Sequence, residues 1–301
     1  MSNEDKGMYA EERREDPMTT MLSQSIRPQV RPIDGLSIRY AESEPRDNHA
    51  LLLSPWPESI YCYEPTWNRL AEHVHLVAVD LPGFGQSERR DSLMSPRAMG
   101  EFIVRLADAF GLEQPHIVGH DIGTSASLFA AALSPGRFRS LVIGAGGAAV
   151  PLQLSGLLKE WVEAPSIEPY RKIDGRKIVA ATISKFERRP TDAACEDYLS
   201  SYEGERLAES MRYVRSYPEQ LPILRDLLPT IETPVLIING VRDHVVPPVN
   251  AEYLHERLPN SKLNIIDAAH FFWEDAADTY ADLVTNWWAG GYTKAGSVSD
   301  R

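Results

Sequence analysis

"PHIVGHDIGTSAS", residues 115–127, decides how this chain is read. A short apolar run ends at Gly119, Asp121 stands two residues on, Gly123 two further, and small residues follow. This is the pattern of a strand turning sharply into a helix, where the flanking positions are crowded and have to be small. The apex residue is pushed out at the C-terminal edge of the sheet, where open α/β sheets bind ligands. It also stands at a helix N-terminus, where the dipole favours negative charge. Asp121 is thus a carboxylate on display. Ser125 and Ser127 lie beyond the apex and read as small helix residues packed near the turn.

Working outward, apolar runs alternate with helical patterns. "LSIRYAE" (36–42) alternates like an edge strand, and "HALLLS" (49–54), "HLVAVD" (75–80), "RSLVIG" (139–144), "TPVLIING" (233–240) and "SKLNIID" (261–267) are strand-like. Between them, "PTWNRLAEH" (65–73) reads as a helix with Pro65 in its first turn. "SPRAMGEFIVRLADAFG" reads as a helix with Ser95 as cap, Pro96 just inside, and a stripe of Met99, Phe102, Ile103, Leu106 and Phe110. The last helix is "DAADTYADLVTNWWAG". Continuous apolar strands alternating with helices imply an α/β fold with a mostly parallel sheet covered on both faces. The rhythm stops between 149 and 229, a stretch rich in helix formers, charges and tyrosines. The expected organisation is a core of 31–148 and 230–292, a helical cap of 149–229, and tails at 1–30 and 293–301, the first of them disordered.

The chain has 301 residues, 43% apolar and 25% charged, with a formal net charge of −12. That charge argues against general binding to nucleic acid or anionic membrane. The N-terminal stretch has no apolar core of the secretory kind, and Met18 and Met21 leave the natural start open. Ser140 to Leu158 carries no charge, but Gly144, Gly146, Gly147, Pro151 and Gly156 break it, so it reads as a buried strand running into a loop. Cys62 and Cys195 are far apart, without metal-type spacing, and are expected to be reduced thiols in a cytoplasmic protein. His73 and His75 alternate on one strand face but have no acidic or thiol partner nearby in sequence. No metal and no cofactor is expected. A monomer and a homodimer both remain open.

Further pieces fall in a meaningful order. "DLPGFGQS" (80–87) follows a strand and lacks the third glycine of a dinucleotide fingerprint, with Asp80 reading as structural. "NGVRDHVVPP" (239–248) places Asp243 just past a strand end, and "DAAHFFWED" (267–275) places His270 after the last strand. With the 115–127 turn, these pieces resemble the α/β-hydrolase fold superfamily over most of residues 31–292. The aspartate at the apex is similar to the branch containing epoxide hydrolases and haloalkane dehalogenases. The resemblance implies a triad of Asp121 as nucleophile, Asp243 as acid and His270 as base. It also implies an oxyanion hole from the Ile122 N–H and the loop Ser54-Pro55-Trp56-Pro57. Those families usually carry His-Gly-x-Pro there, so Trp56 takes the donor position while the His-Gly pair is replaced. A cis Trp56–Pro57 bond would aim that N–H inward.

An aspartate nucleophile narrows the chemistry. Attack on an ester would give a costly anhydride, whereas attack on saturated carbon gives an ester that His-activated water can open. The substrate is then expected to be a small, largely apolar molecule, an epoxide ahead of a haloalkane. Ile122 lacks the donor that the tryptophan after the nucleophile supplies in haloalkane dehalogenases. The cap is rich in tyrosines, the acids that epoxide opening requires. By resemblance Tyr213 and Tyr170 form the pair, with Tyr217 in reserve for Tyr213. Phe272 is expected to line the pocket with Trp56. The expected product is a vicinal diol; the rival readings are a haloalkane dehalogenase-like hydrolase and a ligand-binding pseudoenzyme.

Overall fold

A computed structural model describes residues 25–294. Eight strands form one sheet: β1 Gln29–Ile33, β2 Leu36–Glu42, β3 His49–Leu53, β4 His75–Val79, β5 His116–His120, β6 Ser140–Gly144, β7 Val235–Gly240 and β8 Ser261–Ile266. Their order is β1-β2-β4-β3-β5-β6-β7-β8. The pairs β1–β2 and β2–β4 are antiparallel, and the other five are parallel. The helices are α1 Trp67–Ala71, α2 Pro96–Ala109, α3 Ile122–Leu133, α4 Gly156–Glu163, α5 Gly175–Ile183, α6 Asp192–Ser201, α7 Arg206–Arg215, α8 Tyr217–Leu227, α9 Val249–Arg257, α10 Phe272–Asp275 and α11 Ala277–Trp288.

The continuous apolar strands are the central ones because both faces are covered. Leu51, Leu53, Val77, Val79 and Ile117 face a layer built by α2, α3 and the inserted helices. Their alternates Ala50, Leu52, Leu76, Ala78 and Val118 face the opposite layer, built mainly by α1 and α11. Helix α2 follows its pattern: Ser95 Oγ accepts the Ala98 N–H at 3.4 Å, Pro96 opens the first turn, and the Met99–Leu106 stripe is buried.

The N-terminal edge corrects two expectations. The strand β1 begins at Gln29 and Ile26 is already buried, so structure starts inside the stretch expected to be tail; residues 1–24 lie outside the described residues. In consequence β2 is not the edge. Pro32 disguises β1, and an edge strand is where proline is tolerated. The overlooked signal was Asp34-Gly35, both with positive φ (51° and 73°), a two-residue hairpin turn that brings Ile33 opposite Leu36.

Between β6 and β7 the described chain forms α4 to α8 and two short 3₁₀ turns, with no strand. These helices sit on the C-terminal edge of the sheet and are tied there by polar contacts. The Arg39 guanidinium bridges Asp80 (3.3 Å) and Asp197 of α6 (2.5 Å). Arg206 donates to the carbonyls of Gly85 (2.6 Å) and Ser87 (3.0 Å), while Arg89, Arg171 and Arg212 converge on Glu209. Among the described residues no helix is long and apolar enough to cross a membrane.

Candidate active site

The turn between β5 and α3 carries Asp121 at φ 52°, ψ −118°, a conformation that L-residues adopt only where the surroundings enforce it. The enforcing contacts are local. The Asp121 N–H donates to Gly144 O (2.9 Å), and the Thr124 N–H donates to Asp121 O (3.0 Å). A Cβ on Gly119 would stand 2.4 Å from Ser127 Oγ, so that position has to be glycine; a Cβ on Gly123 would make ordinary contact with Leu53. The crowding is therefore one-sided. Gly146 completes it, since a Cβ there would lie 2.5 Å from Asp121 O. Ser125 and Ser127 are both fully buried on α3.

Asp121 is 5% exposed, and its Oδ2 accepts the Trp56 N–H at 2.8 Å. The Ile122 N–H lies close enough to the carboxylate to favour its charged form. The N–H groups of Trp56 and Ile122 thus both face the carboxylate, with Ser54-Pro55 in the preceding positions, and the Trp56–Pro57 bond is cis. Burial pushes the Asp121 carboxyl up to about 6, against the opposing pull of His270 and the two N–H groups.

His270 follows β8, and its Nδ1 donates to Asp243 Oδ2 at 2.8 Å. Asp243 follows β7, and its Oδ1 accepts the N–H groups of Val245 and Val246, both at 2.8 Å, which leaves Oδ2 for the histidine. Burial lowers the His270 pKa, but Asp243, Asp121 and Asp275 outweigh it and hold the imidazole above its usual value.

The helices over the site supply hydroxyls. Tyr213 donates to Ile122 O at 2.8 Å, and its ring meets Tyr217 at 5.9 Å between centroids. Both tyrosines are buried and raised by burial, and both feel the charge of Asp121. Tyr217, held in reserve by the sequence reading, is fully buried and packs edge-on against Tyr213. Tyr170 lies half-buried on the 170–172 turn, and its side chain makes no hydrogen bond or ring contact among the described residues. Phe272 corrects another expectation. It is the first residue of α10 and packs in the opposite layer, against His120, Trp273 and Tyr280, because the turn after His270 carries the chain under the sheet. Its place against Trp56 is taken by Trp161 of α4 (5.2 Å, edge-on), which the sequence reading missed.

A cavity of about 620 Å³ opens between Gly83, Arg89, Asp91, Arg171 and α7. Its lining is charged and includes none of the triad, so it is a notch in the seam between the core and the inserted helices. His75 sits beside His49 (3.3 Å) and Glu42 (3.9 Å), and among the described residues no group of three or more His, Cys, Asp or Glu could hold a metal ion. Cys62 and Cys195 are free thiols.

Asp121 on the β5–α3 turn, Asp243 after β7 and His270 after β8 all lie at the C-terminal edge of a mostly parallel sheet. The chain belongs to the α/β hydrolase fold family, whose profile matches residues 51–277. It is 29% identical over 247 residues to the putative carbamate hydrolase RutD of Caulobacter sp. (strain K31), covering 76% of this chain and 85% of the relative. It is 25% identical over 237 residues to a 2-hydroxymuconate semialdehyde hydrolase of Pseudomonas putida, covering 73% and 79%. Among solved structures, Cfl2 from Burkholderia cenocepacia superposes with a TM-score of 0.76 at 20% identity, over 91% of this chain and 98% of that one.

Proposed function

We propose that this hydrolase opens an epoxide to a vicinal diol through an ester on Asp121. The carrying observation is the Asp121 carboxylate at the apex of the turn, held by Oδ2 on the Trp56 N–H, with the Tyr213 hydroxyl bonded to the carbonyl of the next residue, Ile122. The relatives are named for carbamates and a semialdehyde ring-cleavage product, but a carboxylate attacking an acyl group would form an anhydride. Asp121 in that position favours a saturated carbon.

With Oδ2 engaged, Oδ1 attacks a ring carbon and the ring C–O bond breaks. The departing alkoxide takes a proton from a tyrosine hydroxyl. Ester formation removes the negative charge of Asp121, one of the three groups that raise His270, so the imidazole becomes easier to deprotonate once the ester exists. Neutral His270, oriented by Asp243, then takes a proton from water, and the water oxygen attacks the ester carbon. The resulting oxyanion lies where Oδ2 lay, on the N–H groups of Trp56 and Ile122. Its collapse expels the second alkoxide, which takes the proton held by His270; the carboxylic acid left on Asp121 gives up its proton, the tyrosinate regains one, and the diol leaves the resting site.

One observation favours a second reading: the Trp56 indole Nε1 is buried without a partner, as a halide-binding donor would be before its ligand arrives. A single experiment separates the two. His270→Gln is soaked with small epoxides and haloalkanes and its intact mass is measured. An adduct on Asp121 from an epoxide, together with diol formation by the wild type, supports epoxide opening. An adduct from haloalkanes alone supports halide displacement. No adduct from either, with an inactive wild type, removes both.

A further inference from the structure

Beneath the oxyanion loop lies a second group of acids that the mechanism leaves unused. Glu58, two residues after Trp56, and Glu274, four residues after His270, are 1% and 2% exposed. Their carboxyl groups meet within hydrogen-bonding reach. Glu58 Oε1 accepts the Trp273 indole N–H at 3.0 Å, and Glu274 Oε1 accepts the Tyr198 hydroxyl at 2.9 Å. Glu58 Oε2 receives no hydrogen from any donor. Two carboxylates offer each other only acceptors, so this contact is bonded only when one oxygen carries a proton.

We infer that Glu58 and Glu274 share one proton and that this carboxylic acid–carboxylate bond fixes the Trp56 loop against the His270 turn, making both positioning residues. As a statement about catalysis this rests on the epoxide-opening reading; as a statement about the fold it does not. The logic is spatial. Glu58 belongs to the segment that presents an oxyanion donor, Glu274 to the segment that presents the base, and Tyr198 to α6 of the inserted helices. One bond therefore sets three elements in register. Trp273 extends the linkage, since its indole bonds to Glu58 while its ring stacks on His120 at 5.3 Å and 8°.

The charged and titratable surroundings agree with a single proton. Burial raises Glu58 well above the carboxylate range, and Glu274 and Asp121 raise it further, against the Trp273 N–H. Burial likewise raises Glu274, helped by Asp275 and Glu64 and opposed by the bond to Glu58 and by Tyr198. Beside the pair, Cys62 is also raised by burial and by both glutamates, so it stays a thiol. Among the described residues no cation pairs with either carboxyl, and a proton is what keeps two negative charges from meeting in a buried site. The sign follows: a carboxyl raised on folding contributes stability that is fully present below its unfolded value and is lost as pH rises through the folded value.

Glutamine at position 58 mimics the protonated acid, with an amide N–H for Glu274 and a carbonyl for the Trp273 indole. The test compares wild type, Glu58→Gln and Glu58→Ala. At pH 7 the wild type is expected to show the infrared C=O stretch of a buried carboxylic acid, absent from Glu58→Gln. The melting temperature of Glu58→Gln, relative to wild type, is expected to rise steadily as pH increases above the carboxylate range. For catalysis, Glu58→Gln keeps the alkylation rate of Asp121 within about threefold of wild type, whereas Glu58→Ala loses on the order of 10²-fold through misplacement of the loop. A wild type without the infrared band, or a Glu58→Gln melting curve that tracks the wild type at every pH, overturns the shared proton. Equal alkylation rates in all three proteins overturn the positioning role. The infrared and melting measurements need no substrate, so they still decide the pair if no epoxide reacts.

Discussion

Asp80 and Asp121 each stand one residue past the end of a central strand, β4 and β5, with β3 between them. Both are buried, and burial pushes both carboxyls up to about 6. Their backbones and their partners differ. Asp80 spends both oxygens on the fold: Oδ1 accepts the Ile60 N–H (2.9 Å), and Oδ2 accepts the Gln86 N–H (2.9 Å) and the Arg39 guanidinium (3.3 Å). It closes the glycine loop so tightly that a Cβ on Gly85 would fall 2.2 Å from its carboxyl. Asp121 instead sits on a positive-φ backbone and meets the Trp56 N–H at the oxygen that, in the proposed mechanism, becomes the oxyanion. Burial and a raised pKa do not distinguish a nucleophile from a strut; the direction of the donors does.

The largest effect should come from Asp121→Asn. The amide cannot form the ester, so kcat/KM for diol formation should fall by at least about 10⁴-fold. Its Oδ1 still accepts the Trp56 N–H and a buried charge is removed, so urea unfolding should shift by less than about 1 kcal/mol. A variant that keeps a tenth of wild-type turnover would break the comparison, because Asp121 would then be a strut as well.

Asp80→Asn should show the reverse at smaller amplitude. An asparagine offers one acceptor oxygen where two backbone N–H groups wait, so one of them loses its partner. Arg39 keeps Asp197 and is not stranded. The expected cost is about 2 kcal/mol in urea unfolding, with kcat/KM of the folded protein within a few-fold of wild type. A large catalytic loss at unchanged stability would place Asp80 in the site.

This contrast also marks what the sequence could disclose. Asp121, Asp243 and His270 were legible because each follows an apolar run that could only be a central strand, and the strand ends fix where the side chains emerge. Asp80 was legible as structural for the same reason. The strand β1 was hidden by Pro32, although Asp34-Gly35 announced its hairpin. Helices were foreseeable in 149–229, but which tyrosines pack over the β5–α3 turn depends on how α7 and α8 break at Ser216 and dock, which no local periodicity encodes. Tyr217 was therefore ranked below Tyr170. Phe272 failed for a related reason, since the direction of the chain after His270 is set by packing against His120 and Gly144. The Glu58–Glu274 pair joins positions more than two hundred residues apart and left no trace in either segment alone.

The subtlest separation of the two aspartates is in pH. Asp121 has to be ionised to attack, and its folded value is raised to about 6. As pH falls through that value the carboxylate takes a proton, so kcat/KM should decline by about tenfold per pH unit below it. Asp80 titrates in the same range but touches no reacting atom. Its raised value means that its protonation favours the folded state, so it contributes no loss of fold to that decline. In Asp80→Asn the acid limb of kcat/KM should therefore keep its midpoint within a few tenths of a pH unit of wild type. Circular dichroism at each pH verifies that the protein remains folded. A limb that moves or vanishes with Asp80→Asn would mean that the proton governing catalysis sits after β4, and the roles assigned to the two strand ends would have to be exchanged.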